Sequence, residues 1–126
     1  MNTLLWVLQA LLAVVFFAHG CLFLFPPAAI VDQMNASLPR WFQLFLGVAE
    51  VMAAAGLALP GFTRIQPWVV PCAAAGIMIV MISATIFHLT RGEVSSAIIT
   101  VVLLAMATVV AYTRWRVAPI RPRRVA

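Results

Sequence analysis

Charged residues are scarce in this chain. Only 9% of its 126 residues are charged, three of them are acidic, and all eight basic residues are arginines, so lysine is absent. Hydrophobic residues make up 65% of the sequence and the mean hydropathy is +1.10. Because soluble domains carry about 25% charged residues, this composition excludes a soluble globular domain and indicates a membrane protein.

Long apolar runs occupy nearly the whole chain. Each run is long enough for one transmembrane helix, since about 20 helical residues cross a hydrocarbon core of about 30 Å. The four predicted spans are roughly residues 3–25, 41–59, 67–89 and 94–113. They leave no room for a separate soluble domain, so nucleic-acid binding is not expected.

Turn residues separate the four runs. Pro26 and Pro27 end the first span, residues 60–67 predict a short turn, and residues 91–93 form a tight link. Short links join antiparallel neighbours, so we predict an all-α, integral membrane four-helix up-down bundle that forms one domain over residues 1–126. Residues 26–40 are long enough to cap it.

The first apolar run could in principle be a cleaved signal peptide. However, residues 1–3 contain no Lys or Arg, and the run continues past the small residues Ala18 and Gly20 through 22-LFLF-25. We therefore interpret residues 3–25 as a retained helix.

The arginines predict the orientation. The tail, residues 114–126, holds five of the eight, and an even number of spans places Arg64 on the same side, against Arg40 and Arg91 on the other. The positive-inside rule then predicts a multi-pass protein of the plasma membrane with both termini cytoplasmic. Arginine without lysine suggests a GC-rich bacterial genome, so that membrane would be the inner membrane. The tail could also bind anionic lipids at about 1 kcal/mol per residue, or it could serve only as a topology signal.

The two cysteines, Cys21 and Cys72, lie near opposite ends of their predicted spans. Their heights differ by about 20 Å at 1.5 Å per residue, whereas a disulfide needs Cα atoms within about 7 Å. No C-x-x-C pair is present to suggest a dithiol enzyme. We interpret both as small packing residues.

One acidic residue, Glu50, falls near the middle of the second span. A charge there costs about 2.5–3.5 kcal/mol, so such a residue is a functional candidate by default. Other polar residues lie toward the outer half of the predicted bundle. The candidate site residues, for ligand binding or proton relay, are Glu50, His88, His19, Gln43 and Thr85.

Helical spacing lets these residues converge. Gln43 and Glu50 are seven apart and share a face with Gly47, and small residues allow close helix approach, so this face should turn inward. Thr85 and His88 share a face of the third span. Together they predict a polar pocket open to the outer side.

An acid and an imidazole in such a pocket could relay a proton or bind the polar head of a lipid or a quinone. Alternatively, Glu50 bonds to His19 or Gln43 merely to hold helices together, at about 0.6 kcal/mol. A haem between His19 and His88, or a metal held by these residues and Glu50, is a weaker hypothesis. The remaining charges are interpreted mainly as solvated loop groups: Asp32, Arg40, Arg91 and Glu93, the last also favourable at the start of the fourth helix.

Several segments resemble the DoxX family of small four-helix membrane proteins, particularly its bacterial DoxX-like branch. They are 1-MNTLLWVLQALLAVVFFAHG-20, 46-LGVAEVMAAAGLALPG-61, 85-TIFHLTRGE-93 and 110-VAYTRWR-116. Many relatives carry a lysine near the end of the first helix, where this chain reads 22-LFLF-25.

The resemblance implies two hypotheses. In the first, the protein is an accessory or scaffold subunit of a membrane complex, with lipids and other membrane proteins as partners and a lipid or quinone in its pocket. In the second, it is a redox subunit or small quinone oxidoreductase handling thiol or thiosulfate electrons, in which Glu50 and His88 move protons.

Overall fold

Four long helices cross one another in an antiparallel bundle in the computed structural model, which describes residues 2–124. They are α1 (Asn2–Leu24), α3 (Arg40–Thr63), α4 (Val69–Thr90) and α5 (Val94–Tyr112), with a short helix, α2 (Val31–Ser37), between α1 and α3. The four long helices are each long and apolar enough to cross a membrane. The predicted all-α, up-down arrangement is confirmed.

The long helices form a closed ring of neighbours. Helix α1 packs against α3, α3 against α4, and α4 against α5, which returns to α1. Apolar side chains from all four meet in the interior, among them Leu12, Leu57, Ile77 and Val110. Other large apolar side chains are exposed on the outside of the ring, as lipid contact requires.

The two ends of the bundle differ. At one end, which we call the cap end, α2 lies near the end of α1, the start of α3 and the α4–α5 link, residues 91–93. At the other end, which we call the terminal end, the C-terminal segment 113–124 is hydrogen-bonded both to Asn2 of α1 and to Arg64 in the turn after α3. Residues 26–40 thus cap the bundle as predicted.

The predicted turn at residues 60–67 begins too early. Helix α3 continues through Pro60 to Thr63 and ends where Arg64 adopts a left-handed conformation, with φ of 57°. Proline removes only one backbone donor, and in membrane helices neighbouring groups satisfy the freed carbonyls. The carbonyl that Pro60 leaves without its usual donor is that of Gly56, four residues earlier. The next carbonyl, that of Leu57, accepts from the side-chain amide of Gln9 at 3.2 Å.

Helix α5, the fourth predicted span, also runs further than predicted. A π-helical turn, Thr113–Val117, extends α5 beyond Tyr112 and carries Arg114 into the bundle, where it is 3% exposed. The tail therefore does not begin at residue 114 as a solvated segment. Its later part folds back, and the backbone N–H of Arg123 donates to the carbonyl of Arg64 at 2.9 Å.

Candidate functional site

Two of the five predicted site residues meet between α1 and α3. Nδ1 of His19 lies 2.6 Å from Oε2 of Glu50, within hydrogen-bond distance. The Glu50 side chain is buried at 3% exposure, whereas the His19 side chain is 48% exposed. The imidazole therefore stands between the buried acid and the surface of the bundle.

The buried faces of the two helices explain this placement. Positions 5, 9, 12, 16 and 20 of α1 and positions 43, 47, 50, 54 and 57 of α3 are buried at helical spacing. Gly20 and Gly47 lie on these faces and bring the backbones together: a Cβ on Gly20 would lie 2.9 Å from the carbonyl oxygen of Gly47. His19 and Glu50 flank this close approach, so their side chains span a short gap.

The pair lies at the level of the spanning segment. His19 is five residues before the end of α1, which is about 8 Å along the helix axis at 1.5 Å per residue. The exposed imidazole is therefore presented at the side of the bundle rather than at its end. The Phe23 ring packs against it nearly at right angles, with the ring centroids 4.7 Å apart.

The pair has a simple proton chemistry. When it is electrically neutral overall, one shared proton lies between Nδ1 and Oε2, and Nε2 carries a second proton that it can donate. When the pair loses one proton, it becomes an anion and Nε2 becomes an acceptor. A low-dielectric membrane disfavours net charge and therefore favours the neutral form, in which Nε2–H can donate.

Gln43 serves a different purpose. It is fully buried, and its side-chain amide donates to Oδ1 of Asn35 at 3.1 Å and to the carbonyl of Leu38 at 2.8 Å. Its own oxygen accepts from Arg40 at 3.3 Å. All of these partners belong to the cap segment or the start of α3, so Gln43 fastens the cap to the bundle.

Thr85 belongs to the α4–α5 interface. Its hydroxyl is 2.8 Å from the hydroxyl of Thr100 and donates to the carbonyl of Met81 at 2.7 Å. This is a hydrogen-bonded contact between two helices, satisfied by its own neighbours.

His88 pairs with a second acid. Its Nδ1 lies 2.6 Å from Oε2 of Glu93, and Nε of Arg91 donates to Oε1 of the same carboxylate at 3.0 Å. The His88 imidazole, and beyond it the Arg91 guanidinium, hold the pKa of the Glu93 carboxyl below its usual range. The guanidinium also lies 5.2 Å from the centroid of the Phe87 ring. Among the described residues His88 makes no hydrogen bond to His19 or Glu50, so the structure separates two acid–imidazole pairs where one pocket was predicted.

Three of the four charges interpreted as solvated loop groups have structural partners among residues 2–124. Arg91 and its contacts are described above, and the other two are Arg40 and Glu93. Arg40 donates to the carbonyls of Phe23 at 2.7 Å and Leu24 at 3.0 Å, and so caps the end of α1. A cation there satisfies orphan carbonyls and opposes the negative end of the helix dipole. Glu93, engaged by His88 and Arg91, is the second.

A polar cluster at the terminal end was missed from the sequence. Arg114 donates from Nε to Gln9 at 2.6 Å and from Nη1 to Asn2 at 2.7 Å and to the carbonyl of Ala118 at 3.1 Å. The spacing could have revealed it: Ala107 and Val110 are buried on α5, and Arg114 continues that face four residues later. Gln9 likewise lies four residues after buried Leu5.

Cys21 and Cys72 are both free thiols in the structure. Across residues 2–124, no group of three or more His, Cys, Asp or Glu side chains is placed to hold a metal ion.

The four apolar helices, with the buried Glu50 carboxyl between two of them and His19 beside it, define a multi-span membrane protein with a polar group inside the bundle. The chain belongs to the DoxX-like family, whose model matches residues 7–110. No curated protein and no solved structure matches the chain. The matched range contains both acid–imidazole pairs, whereas Arg114 lies beyond it.

Proposed function

We propose that this DoxX-like protein is an accessory subunit of a membrane complex that binds the carbonyl head of a lipophilic molecule, a quinone or a lipid, at the His19–Glu50 pair. The observation that carries the proposal is the 2.6 Å contact between a buried carboxyl and a half-exposed imidazole. Glu50 orients the ring through Nδ1, which leaves Nε2 as the group available to a ligand.

The chemistry of the pair suits an uncharged acceptor. In its neutral form Nε2–H donates to a carbonyl oxygen, such as that of a quinone or a lipid ester. After loss of one proton Nε2 accepts, as the hydroxyl of a quinol requires. The exposed ring lies within a spanning helix, so a ligand approaches it from the lipid.

The proposed site consists of His19 and Glu50, with Phe23 packed on the imidazole. His88, Gln43 and Thr85 are not part of it, because each is hydrogen-bonded within its own interface or cap.

The test is the ligand content of protein purified in a mild detergent, measured by extraction and mass spectrometry with separate arms for quinones and lipids. His19→Asn is the informative variant, since an asparagine amide can replace Nδ1 toward Glu50 while Nε2 is lost. We expect about a three- to tenfold loss of retained ligand, the effect of one hydrogen bond. His88→Asn makes the same change beside Glu93 and should leave the content unchanged. Equal content in all three proteins would exclude a ligand at His19.

The second candidate function is a quinone oxidoreductase, favoured by the ability of the pair to exchange one proton through Nε2. The same preparation tests it. Reduction of a bound quinone by thiosulfate or a thiol, lost in Glu50→Gln, would support this function over an accessory role.

The asymmetry of the arginines supports the inner membrane orientation with both termini cytoplasmic. Five exposed arginines lie at the terminal end, against Arg40 and Arg91 at the cap end. The cap end, and the His19–Glu50 pair near it, would then face the periplasmic half of the membrane.

A further inference from the structure

A cavity of about 280 Å³ lies at the terminal end of the bundle. Its wall combines the start of α4 with the turn before it, the π-helical turn, and the C-terminal segment. The lining residues are Pro67, Trp68, Pro71, Arg114, Trp115, Pro119, Ile120 and Pro122. No part of it belongs to the His19–Glu50 site.

Arg114 is the charged group in this wall, and one of its nitrogens is unused. The side chain is 3% exposed, and Nη2 is a buried atom without a hydrogen-bond partner among residues 2–124. The partners of Nε and Nη1 are the side-chain oxygens of Gln9 and Asn2 and a backbone carbonyl, all of them neutral. The guanidinium carbon also lies 5.1 Å from the centroid of the Trp6 ring, so among residues 2–124 the charge is held by neutral dipoles and an aromatic ring rather than by a carboxylate.

No acidic residue of this sequence is available to neutralise it. Asp32 lies in α2 at the cap end, Glu93 lies in the α4–α5 link at the same end, and Glu50 is paired with His19. A buried cation with an unused donor costs free energy unless an anion completes its shell. Nη2 thus lacks an oxygen acceptor among residues 2–124, and an anionic oxygen there would both accept from it and balance the charge.

The surroundings identify the source of that anion. Trp68 and Trp115 are more than half exposed at the rim, and tryptophan prefers the headgroup level of a bilayer. Exposed arginines surround the same end: Arg64, Arg116, Arg121, Arg123 and Arg124. Such a cluster concentrates anionic lipids at the surface.

The C-terminal segment is anchored as a wall. Ile120 packs against the core and reaches Gly61, where a Cβ would lie 3.4 Å from its Cδ1. The cavity is slightly below the roughly 300–1,000 Å³ of drug-sized ligand pockets, so it accommodates a headgroup while acyl chains remain in the bilayer.

We propose that this cavity binds the phosphate of an anionic phospholipid, with Arg114 as the residue that engages the phosphate oxygen. Guanidinium groups bind phosphate through charge-assisted hydrogen bonds. A bound phosphate accepts from Nη2 and neutralises the buried charge. The lipid would then tie α4, the π-helical turn and the C-terminal segment together.

The experiment measures thermal unfolding of the full chain in zwitterionic detergent, titrated with phosphatidylglycerol, phosphatidylcholine or inorganic phosphate. We expect a saturable rise in the unfolding midpoint with phosphatidylglycerol alone. An equal rise with phosphatidylcholine would remove the anionic requirement, and an equal rise with inorganic phosphate would assign the site to a free anion. Either result overturns the proposal.

Arg114→Lys keeps the charge and removes the guanidinium. It should weaken the apparent affinity for phosphatidylglycerol about tenfold, as expected for one charge-assisted hydrogen bond. Arg116→Lys makes the same change two residues later on an exposed side chain and should have no such effect. Equal losses in the two variants would reduce the site to a diffuse surface charge and overturn the proposal.

A second variant leaves Arg114 intact, in case Arg114→Lys does not fold. Pro122 is exposed, lines the cavity and is not bonded to any residue that contacts Arg114, so Pro122→Trp obstructs the headgroup while leaving the buried cluster intact. We expect it to abolish the phosphatidylglycerol-dependent shift while the lipid-free midpoint stays near that of the unaltered chain. An unchanged shift would place the lipid elsewhere.

Discussion

Gly20 of α1 lies so close to Gly47 of α3 that a Cβ on Gly20 would come within 2.9 Å of the Gly47 carbonyl oxygen. The same Cβ would lie 3.1 Å from the backbone nitrogen of Val51. Because these neighbours are backbone atoms, they cannot move aside without moving a helix. The glycines therefore set the distance between α1 and α3, across which His19 reaches Glu50.

Gly20→Ala should consequently destabilise the bundle by about 1–3 kcal/mol, the usual cost of overpacking. It should also lengthen the His19–Glu50 contact. Gly76→Ala is the matched control, because a Cβ on Gly76 meets nothing within 4 Å and alanine favours helix by up to about 1 kcal/mol. Thermal unfolding in detergent compares them, and equal stability of the two variants would contradict a tight crossing.

Much of the fold could be predicted from the sequence because hydrophobic length alone identifies membrane helices. The errors fall at helix ends, where proline and charge are ambiguous. Pro60 resembled a stop signal, but proline removes only one backbone donor and is tolerated inside membrane helices, so α3 continues past it to Thr63. Arg114 was assigned to the tail because arginine counts predict topology, although its spacing from Val110 placed it on the buried face.

The candidate site was predicted in part. Burial of Glu50 followed from its apolar setting, but which histidine it meets depends on the neighbour and rotation of each helix. Both α1 and α4 pack against α3, but His19 lies beside the close α1–α3 approach, whereas His88 lies in the last turn of α4. The link after α4 turns through Gly92, whose φ of +72° favours glycine, and returns Glu93 to His88. Sequence spacing on a helix face does not reveal such a local reversal.

The buried Arg114–Gln9 contact gives a second prediction. Gln9→Leu leaves Nε of Arg114 and the carbonyl of Leu57 without their present partner, so we expect a loss of about 1–3 kcal/mol or more. Adding Arg114→Leu should recover part of it, because replacing both partners by apolar groups removes the unpaired charge. A double-mutant cycle of unfolding free energies measures the coupling, and strict additivity would mean that the contact carries no energy.

Arg40 connects the cap segment to α1. Arg40→Gln removes donors to the carbonyls of Phe23 and Leu24, so the last turn of α1 should fray. We expect faster hydrogen exchange at residues 21–25 and a stability loss of about 1–2 kcal/mol. The control is Asp32→Asn, which changes an exposed charge in the same segment. Unchanged exchange in Arg40→Gln would show that the carbonyls are satisfied in another way.

The Glu93 carboxyl should titrate below its reference value of 4.5, since its bonds to His88 and then to Arg91 favour the ionised form. A carboxyl whose pKa is depressed by folding contributes stability above its unfolded pKa, and that contribution is lost as the pH falls through the folded pKa. As the pH falls, the loss of this stabilising contribution should therefore begin near pH 4.5 and be complete below the folded pKa. Carboxyl-carbon NMR titration of the labelled protein gives the midpoint directly. In His88→Asn the midpoint should move upward, and a midpoint at or above 4.5 in the unaltered chain would contradict the pairing.

The proposed orientation predicts the location of the C-terminus. Alkaline phosphatase is active only after export, so its fusion after residue 126 should be inactive. Green fluorescent protein fluoresces after folding in the cytoplasm, so its fusion at the same place should be fluorescent. Fusions after Arg91, in the α4–α5 link at the cap end, should give the opposite pattern. Replacing the five exposed terminal-end arginines with glutamine should weaken this bias, because arginine near the ends of the spans sets orientation. The reverse pattern in the unaltered chain would place the His19–Glu50 pair in the cytoplasmic half of the membrane, and a ligand would then have to reach it from that leaflet.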